Sequence, residues 1–217
     1  MNFFNDLEKY SSNTAIVTES SDQISYLDLL DAADSIGNHI KKRCLVFFVC
    51  NNCFESVAGY IGFLRAGSAL ALIQDTTDNT FIANLIEVYK PEYIYLPAKK
   101  SELQINCTIV HTFGDYTLLK TDHNVVYTLH ENLALLLTTS GSTGSPKFVR
   151  QSYKNINSNA EAIAQYLGIT STDRPISTMP MSYTFMLSII NSHLLKGASI
   201  ILTNATLMEK NFWRIIK

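Results

Sequence analysis

The sequence predicts an α/β fold, a mostly parallel sheet flanked by helices. Three observations carry that expectation. Short, continuously apolar runs such as L-V-F-F-V (45–49) and A-L-A-L-I (69–73) read as strands buried on both faces. Amphipathic stretches with helical spacing alternate with them. The connections between the two kinds of segment are short, which favours strand–helix–strand units and parallel pairing.

Taken in order, the elements justify themselves locally. Ser25, with Asp28 three residues on, reads as a helix N-terminus, because both side chains can satisfy free amide donors. The helix that follows carries Leu29, Leu30, Ala33, Ile36 and Ile40 on one face. After the strand at 45–49, Asn51 and Asn52 lead into E-S-V-A-G-Y-I-G-F-L-R-A, a helix that Gly67 can stop. The run 69–73 is the second strand. F-I-A-N-L-I-E-V-Y-K is a helix broken by Pro91, and Y-I-Y-L is a third strand. Residues 107–111 and 134–138 read as further strands. Ser152 can cap a helix bearing Ile156, Ala160, Ile163, Ala164 and Leu167 on one stripe. A last helix ends at Gly197, and A-S-I-I-L-T follows as a strand. The one change of character, S-T-D-R-P, divides the chain into an α/β region at 1–174 and the beginning of a second α/β part at 175–217. The sequence stops at F-W-R-I-I-K inside an amphipathic segment, an ending that reads as a cut rather than a natural terminus.

With 217 residues, 47% of them apolar and 17% charged, the chain has ample material for a core. A net charge of −2 gives no electrostatic reason to expect nucleic acid or an anionic membrane surface as a partner. The N-terminus lacks the basic and apolar regions of a secretory signal. No clean membrane span is present, since 57–73 contains Arg65 and 186–202 contains His193 and Lys196. A cytoplasmic location is the expectation. The four cysteines do not read as a disulfide framework. Cys50 and Cys53 form C-N-N-C between a strand and a helix, a thioredoxin-like placement that stands as the lesser, redox alternative. His39, His111, His123, His130 and His193 lack ligand spacing, so no metal site is expected.

The most informative stretch is T-S-G-S-T-G-S-P-K, at the end of the strand 134–138. Ligands of open parallel sheets bind beyond the carboxyl ends of strands. Gly141 and Gly144 let the backbone bring its N–H groups close to an anion. Thr139, Ser140, Ser142, Thr143 and Ser145 add hydroxyl donors, and Lys147 adds a positive charge. Together they describe a cradle for phosphate oxygens. It is not a Walker A loop: Pro146 stands where the second glycine belongs, and Phe148 replaces the metal-binding hydroxyl. No G-x-S-x-G nucleophile elbow can be read either.

This loop resembles the signature loop of adenylate-forming enzymes, the acyl-CoA synthetases, peptide-synthetase adenylation domains and luciferases. S-Y-K-N-I resembles the family's S-H-R-N-I, with Tyr153 at the usual histidine. M-P-M-S-Y followed by L-L-K-G-A-S-I-I-L is similar to its P-x-x-H segment and following strand, with Tyr183 at the aromatic or histidine position. I-S-Y-L-D-L-L-D-A-A-D and N-N-C-F-E-S-V-A-G-Y-I-G-F-L-R-A-G-S-A-L match its early helix and its helix–Gly–strand unit. The resemblance covers nearly the whole chain and implies the N-terminal part of the family's large domain, with the start of a second sheet.

It further implies activation of a carboxylic acid by ATP and Mg²⁺ as an acyl-adenylate, then transfer to the thiol of coenzyme A or of an acyl-carrier protein. Thr139, Ser142, Thr143 and Lys147 would hold the β- and γ-phosphates, and Tyr183 would border the acyl or adenylate pocket. Catalytic residues of the family are expected downstream of residue 217, so the isolated chain is expected to be inactive. A non-catalytic nucleotide- or acyl-binding module is the other alternative. Without downstream strands, 198–203 and the C-terminal segment are expected to expose apolar surface and to favour self-association, or disorder at the C-terminal end.

Overall fold

The computed structural model describes residues 2–100, 103, 106–123, 128–138 and 148–216. Ten strands and six α-helices follow one another along the described chain, after two short 3-10 turns near the N-terminus. β1 (Thr14–Val17) and β2 (Gln23–Ser25) lead into α1 (Tyr26–Gly37). β3 (Leu45–Cys50), α2 (Phe54–Arg65), β4 (Ala69–Gln74), α3 (Asn79–Tyr89) and β5 (Tyr93–Pro97) form the central alternation. β6 (Cys107–Phe113), β7 (Tyr116–Thr121), β8 (Leu133–Thr138) and β9 (Phe148–Ser152) follow. The chain ends through α4 (Tyr153–Leu167), α5 (Thr184–Leu195), β10 (Ile200–Ile201) and α6 (Lys210–Ile216).

The seven-stranded sheet runs β6-β7-β5-β3-β4-β8-β9. Its four central strands are parallel, and both flanks are closed by antiparallel partners. The parallel centre matches the expectation. The antiparallel β6–β7 and β8–β9 pairs add to it, and sequence reading did not foresee them. β3 is buried throughout, and successive side chains divide between two cores. Val46, Phe48 and Cys50 meet α1 and α2 in one cluster, while Leu45, Phe47 and Val49 meet α3 in the other. From β3 the chain crosses to β4 on one side, then over β3 to β5 on the other. Because α2 and α3 lie on opposite faces, the segments leaving β3 and β4 diverge at their carboxyl ends.

Helix limits follow the local chemistry. Ser25 Oγ accepts from the Asp28 amide at 3.1 Å and the Asp28 carboxylate accepts from the Ser25 amide at 3.1 Å, a reciprocal cap. Asp78 caps α3, and Lys90, in the left-handed region at φ 42°, ends it before Pro91. The α1–α2 contact requires glycine. A Cβ on Gly37 would lie 2.7 Å from the Gly62 carbonyl oxygen, and one on Gly62 would strike the Ala33 carbonyl.

β10 pairs in parallel with β1, which pairs antiparallel with β2, so both ends of the chain build a second, three-stranded sheet. This corrects the expectation of apolar exposure at 198–203. Ala198, Ile200, Leu202 and Thr203 are all buried, because β1 covers one side of the strand and Ile176 bridges Ile201 on the other. In the C-terminal helix Phe212 is buried as well, and Trp213 remains exposed.

Candidate functional site

β8 rises as a buried strand, with Leu70, Ala71 and Leu72 of β4 opposite Leu135, Leu136 and Leu137. It turns exposed at Thr138, which stands opposite Phe148 at the start of β9. The phosphate-cradle candidates Thr139, Ser140, Gly141, Ser142, Thr143, Gly144 and Lys147 lie in the intervening segment, outside the described residues. The strands on either side are what the structure fixes: the segment leaves the carboxyl end of a parallel strand and returns antiparallel to it.

Behind the hairpin, Ser152 and Asn155 cap α4 reciprocally. The Ser152 hydroxyl accepts from the Asn155 amide at 3.1 Å, and Asn155 Oδ1 accepts from the Ser152 amide at 3.0 Å. Tyr153, at the position where the resemblance has histidine, donates its hydroxyl to the Ser68 carbonyl at 2.7 Å. Burial pushes that phenol above the ordinary tyrosine range, which suits an anchor rather than an acid–base group.

Arg43 completes the anchorage. Its guanidinium donates to the carbonyls of His130 (2.7 Å), Leu133 (2.6 Å) and Gly67, and to the Tyr153 hydroxyl at 3.4 Å, with its Cζ 5.8 Å from the tyrosine ring centre. One side chain thereby ties the start of β8, the turn before β4 and the first residue of α4. Sequence reading missed it, because a single arginine between a helix and a strand carries no pattern.

Tyr183 is the N-cap residue of α5, extended at φ −88°, ψ 141°, and half-exposed. It is not a packed core aromatic. Its neighbour Thr184 opens onto a cleft of about 430 Å³ between β8–β9 and the α4–α5 pair, lined also by Leu137, Gln151, Asn155, Ser188 and Asn191. The lining combines buried apolar strand residues with carboxamides and hydroxyls, a surface able to hold a small molecule with mixed polarity.

The C-N-N-C cysteines are set against redox chemistry. Cys50 is wholly buried on β3 and its thiol is driven far up by desolvation. Cys53 is pushed up to about 12 by burial, although its sulfur contacts the Ser56 hydroxyl. A reactive thiol needs the opposite shift. Among the described residues no group of three or more His, Cys, Asp or Glu is placed to hold a metal, and no helix is long and apolar enough to cross a membrane. The rings of His39 and His111 stack 4.5 Å apart, and burial beside His39 lowers the basicity of His111.

The chain belongs to the AMP-binding enzyme family, whose model matches residues 3–217. It is 24% identical over 201 residues to tyrocidine synthase 2 of Brevibacillus parabrevis, an alignment spanning 89% of this chain and 6% of that protein. It is 19% identical over 214 residues to the D-alanine–D-alanyl carrier protein ligase of Staphylococcus haemolyticus, spanning 97% and 44% respectively. Its fold is similar to ATP-bound MatB from Rhodopseudomonas palustris, with a TM-score of 0.76 at 21% identity over 94% of this chain and 45% of that one. The chain thus spans less than half the length of each of these proteins.

Proposed function

We propose that these 217 residues form the phosphate-holding part of an ATP-dependent ligase that activates a carboxylic acid by adenylation. The observation that carries the reading is the donor set of residues 139–147, five hydroxyls, two glycines and a lysine, leaving the carboxyl end of parallel strand β8 in a chain of the AMP-binding family. Adenylation uses ATP as the donor of AMP, with pyrophosphate leaving. Such chemistry needs that pyrophosphate held and neutralised, and no nucleophilic side chain.

In this reading Thr139, Ser142, Thr143 and Lys147 hold the β- and γ-phosphates, with the backbone amides of Ser140, Gly141 and Gly144 completing the cradle. Mg²⁺ accompanies ATP, and no residue of this chain is assigned to it. Tyr183 borders the carboxylic acid, and the neighbouring cleft between α4 and α5 receives its side chain. Acid activation itself is assigned to no residue of the 217, and the acceptor is the thiol of coenzyme A or of a carrier protein.

Competition separates this reading from general anion binding. Pyrophosphate is expected to displace a fluorescent ATP analogue from the chain in the presence of Mg²⁺, whereas AMP at equal concentration leaves it bound. Equal displacement by both, or by neither, would refute the assignment of residues 139–147 to the β- and γ-phosphates.

A further inference from the structure

The cleft between β8–β9 and the α4–α5 pair has two kinds of wall. Leu135, Leu137, Ile156 and Leu187 line it with aliphatic surface, and all four are buried. The other described lining residues are carboxamides and hydroxyls, and none is charged. A charged tail entering here would lose water without meeting a counter-ion among these residues. An uncharged tail meets no such cost.

Two of the carboxamides have one end engaged and the other free. Asn155 and Asn159 stand four residues apart on α4, so they share a helix face. Asn155 Oδ1 accepts from the Ser152 amide at 3.0 Å and from the Ser152 hydroxyl at 2.7 Å. A backbone amide can only donate, so the engaged end is the oxygen and the NH2 is left over. Asn159 Oδ1 accepts from the Ser188 hydroxyl at 3.1 Å, a bond that joins α5 to α4 between two lining residues. Neither Nδ2 has an acceptor among the described residues. Both asparagines are exposed, which leaves their NH2 groups within reach of a ligand in the cleft.

The free donors set the chemistry of the partner. A ketone or amide carbonyl oxygen brings two lone pairs and no charge. An alkyl tail offers these donors nothing, and an ammonium brings only further donors.

We infer, on the basis of the adenylation function proposed above, that the cleft selects carboxylic acids bearing an uncharged hydrogen-bond acceptor on the tail, with Asn155 and Asn159 as its donors. Four acids of matched length test this: 4-oxopentanoate, pentanoate, glutarate and 4-aminobutanoate, each titrated into the 217-residue chain at constant ionic strength. The side-chain amide resonances of Asn155 and Asn159 report binding at the cleft, and circular dichroism verifies folding. 4-Oxopentanoate should bind roughly three- to tenfold more tightly than pentanoate, the range of one neutral hydrogen bond, and more tightly than either charged-tail acid. Asn159→Asp keeps an oxygen for Ser188 and exchanges the NH2 for an acceptor, so the preference over pentanoate should shrink or vanish. The ranking in the wild-type chain stands independently of that variant. Equal binding of 4-oxopentanoate and pentanoate would overturn the inference, as would equal or tighter binding of glutarate or 4-aminobutanoate. So would the absence of a saturable shift with any of the four, or an unchanged preference in a folded Asn159→Asp chain. Pyrophosphate displacement of the ATP analogue, measured on the same sample, reports the adenylation function separately. Displacement without preference among the acids removes the selectivity alone, whereas lost displacement removes the substrate role of whatever the cleft binds.

Discussion

Replacing Arg43 with methionine removes the guanidinium and keeps most of the stem. Two of the carbonyls it serves, those of Gly67 and Leu133, are engaged in partly buried contacts, and the third, His130, is at the surface. Leaving a buried acceptor without its donor costs about 1–3 kcal/mol. The surface carbonyl returns to water at little cost. The variant is also spared the desolvation of Arg43 Nε, which has no partner among the described residues. Two acceptors less that relief give an expected loss of about 2–4 kcal/mol. Urea unfolding followed by far-ultraviolet circular dichroism measures it. Tyr153→Phe, which loses the bond to Ser68, should cost about 0.5–1.5 kcal/mol. Because Arg43 also touches the Tyr153 hydroxyl and ring, the double variant should lose less than the sum of the two. A loss below about 0.5 kcal/mol for Arg43→Met would refute the assignment, since that is the range of an uninvolved surface residue.

Other outcomes follow from the same geometry. Gly62→Ala, forced against the Ala33 carbonyl, should cost about 3 kcal/mol or more, whereas Gly67→Ala, with open space around it and φ +73°, should cost only about 1–2 kcal/mol of backbone strain. Equal losses for the two in thermal unfolding would contradict the α1–α2 contact. Gly197→Ala combines φ +70° with a Cβ 2.5 Å from the Tyr10 ring and should be worse than Gly67→Ala. Ser152→Ala should cost about 0.5–2 kcal/mol through loss of the α4 cap, read by the same unfolding assay. Burial raises the Cys44 thiol to about 11, so its protonated form favours the folded state. Its contribution is whole below the ordinary thiol range of about 8.5 and is lost as pH rises toward 11. Cys44→Ala should flatten stability across that window relative to wild type, and an unchanged slope would count against the burial account.

The central strands were legible because burial on both faces leaves a continuous apolar run, as in L-V-F-F-V at β3 and A-L-A-L-I at β4. The caps at Ser25 and Ser152 were legible because their partners lie three residues away. The antiparallel flanks were not. β6 is largely exposed, with Ile109 70% exposed, and β9 places Val149 and Arg150 outward, so neither has the apolar run that marked the centre. Pairing of β10 with β1 joins residues 184 apart in sequence, Ile16 with Ile200, a contact for which local periodicity holds no signal. The loop 139–147 was the reverse case. It lies outside the described residues, and its phosphate-holding reading rests on its glycines, hydroxyls and lysine at a strand end together with its resemblance to the family's loop. Tyr183 was singled out only through resemblance, and its half-exposed place at the head of α5 gives it access to solvent that a core tyrosine would lack.

The most direct test of the phosphate-holding claim is a titration of the chain into Mg²⁺-ATP followed by the ³¹P resonances, with Lys147→Ala alongside. The account predicts selective broadening of the β and γ signals over the α signal, weakened by the substitution. Equal broadening of all three signals, or none from a folded chain, would contradict it.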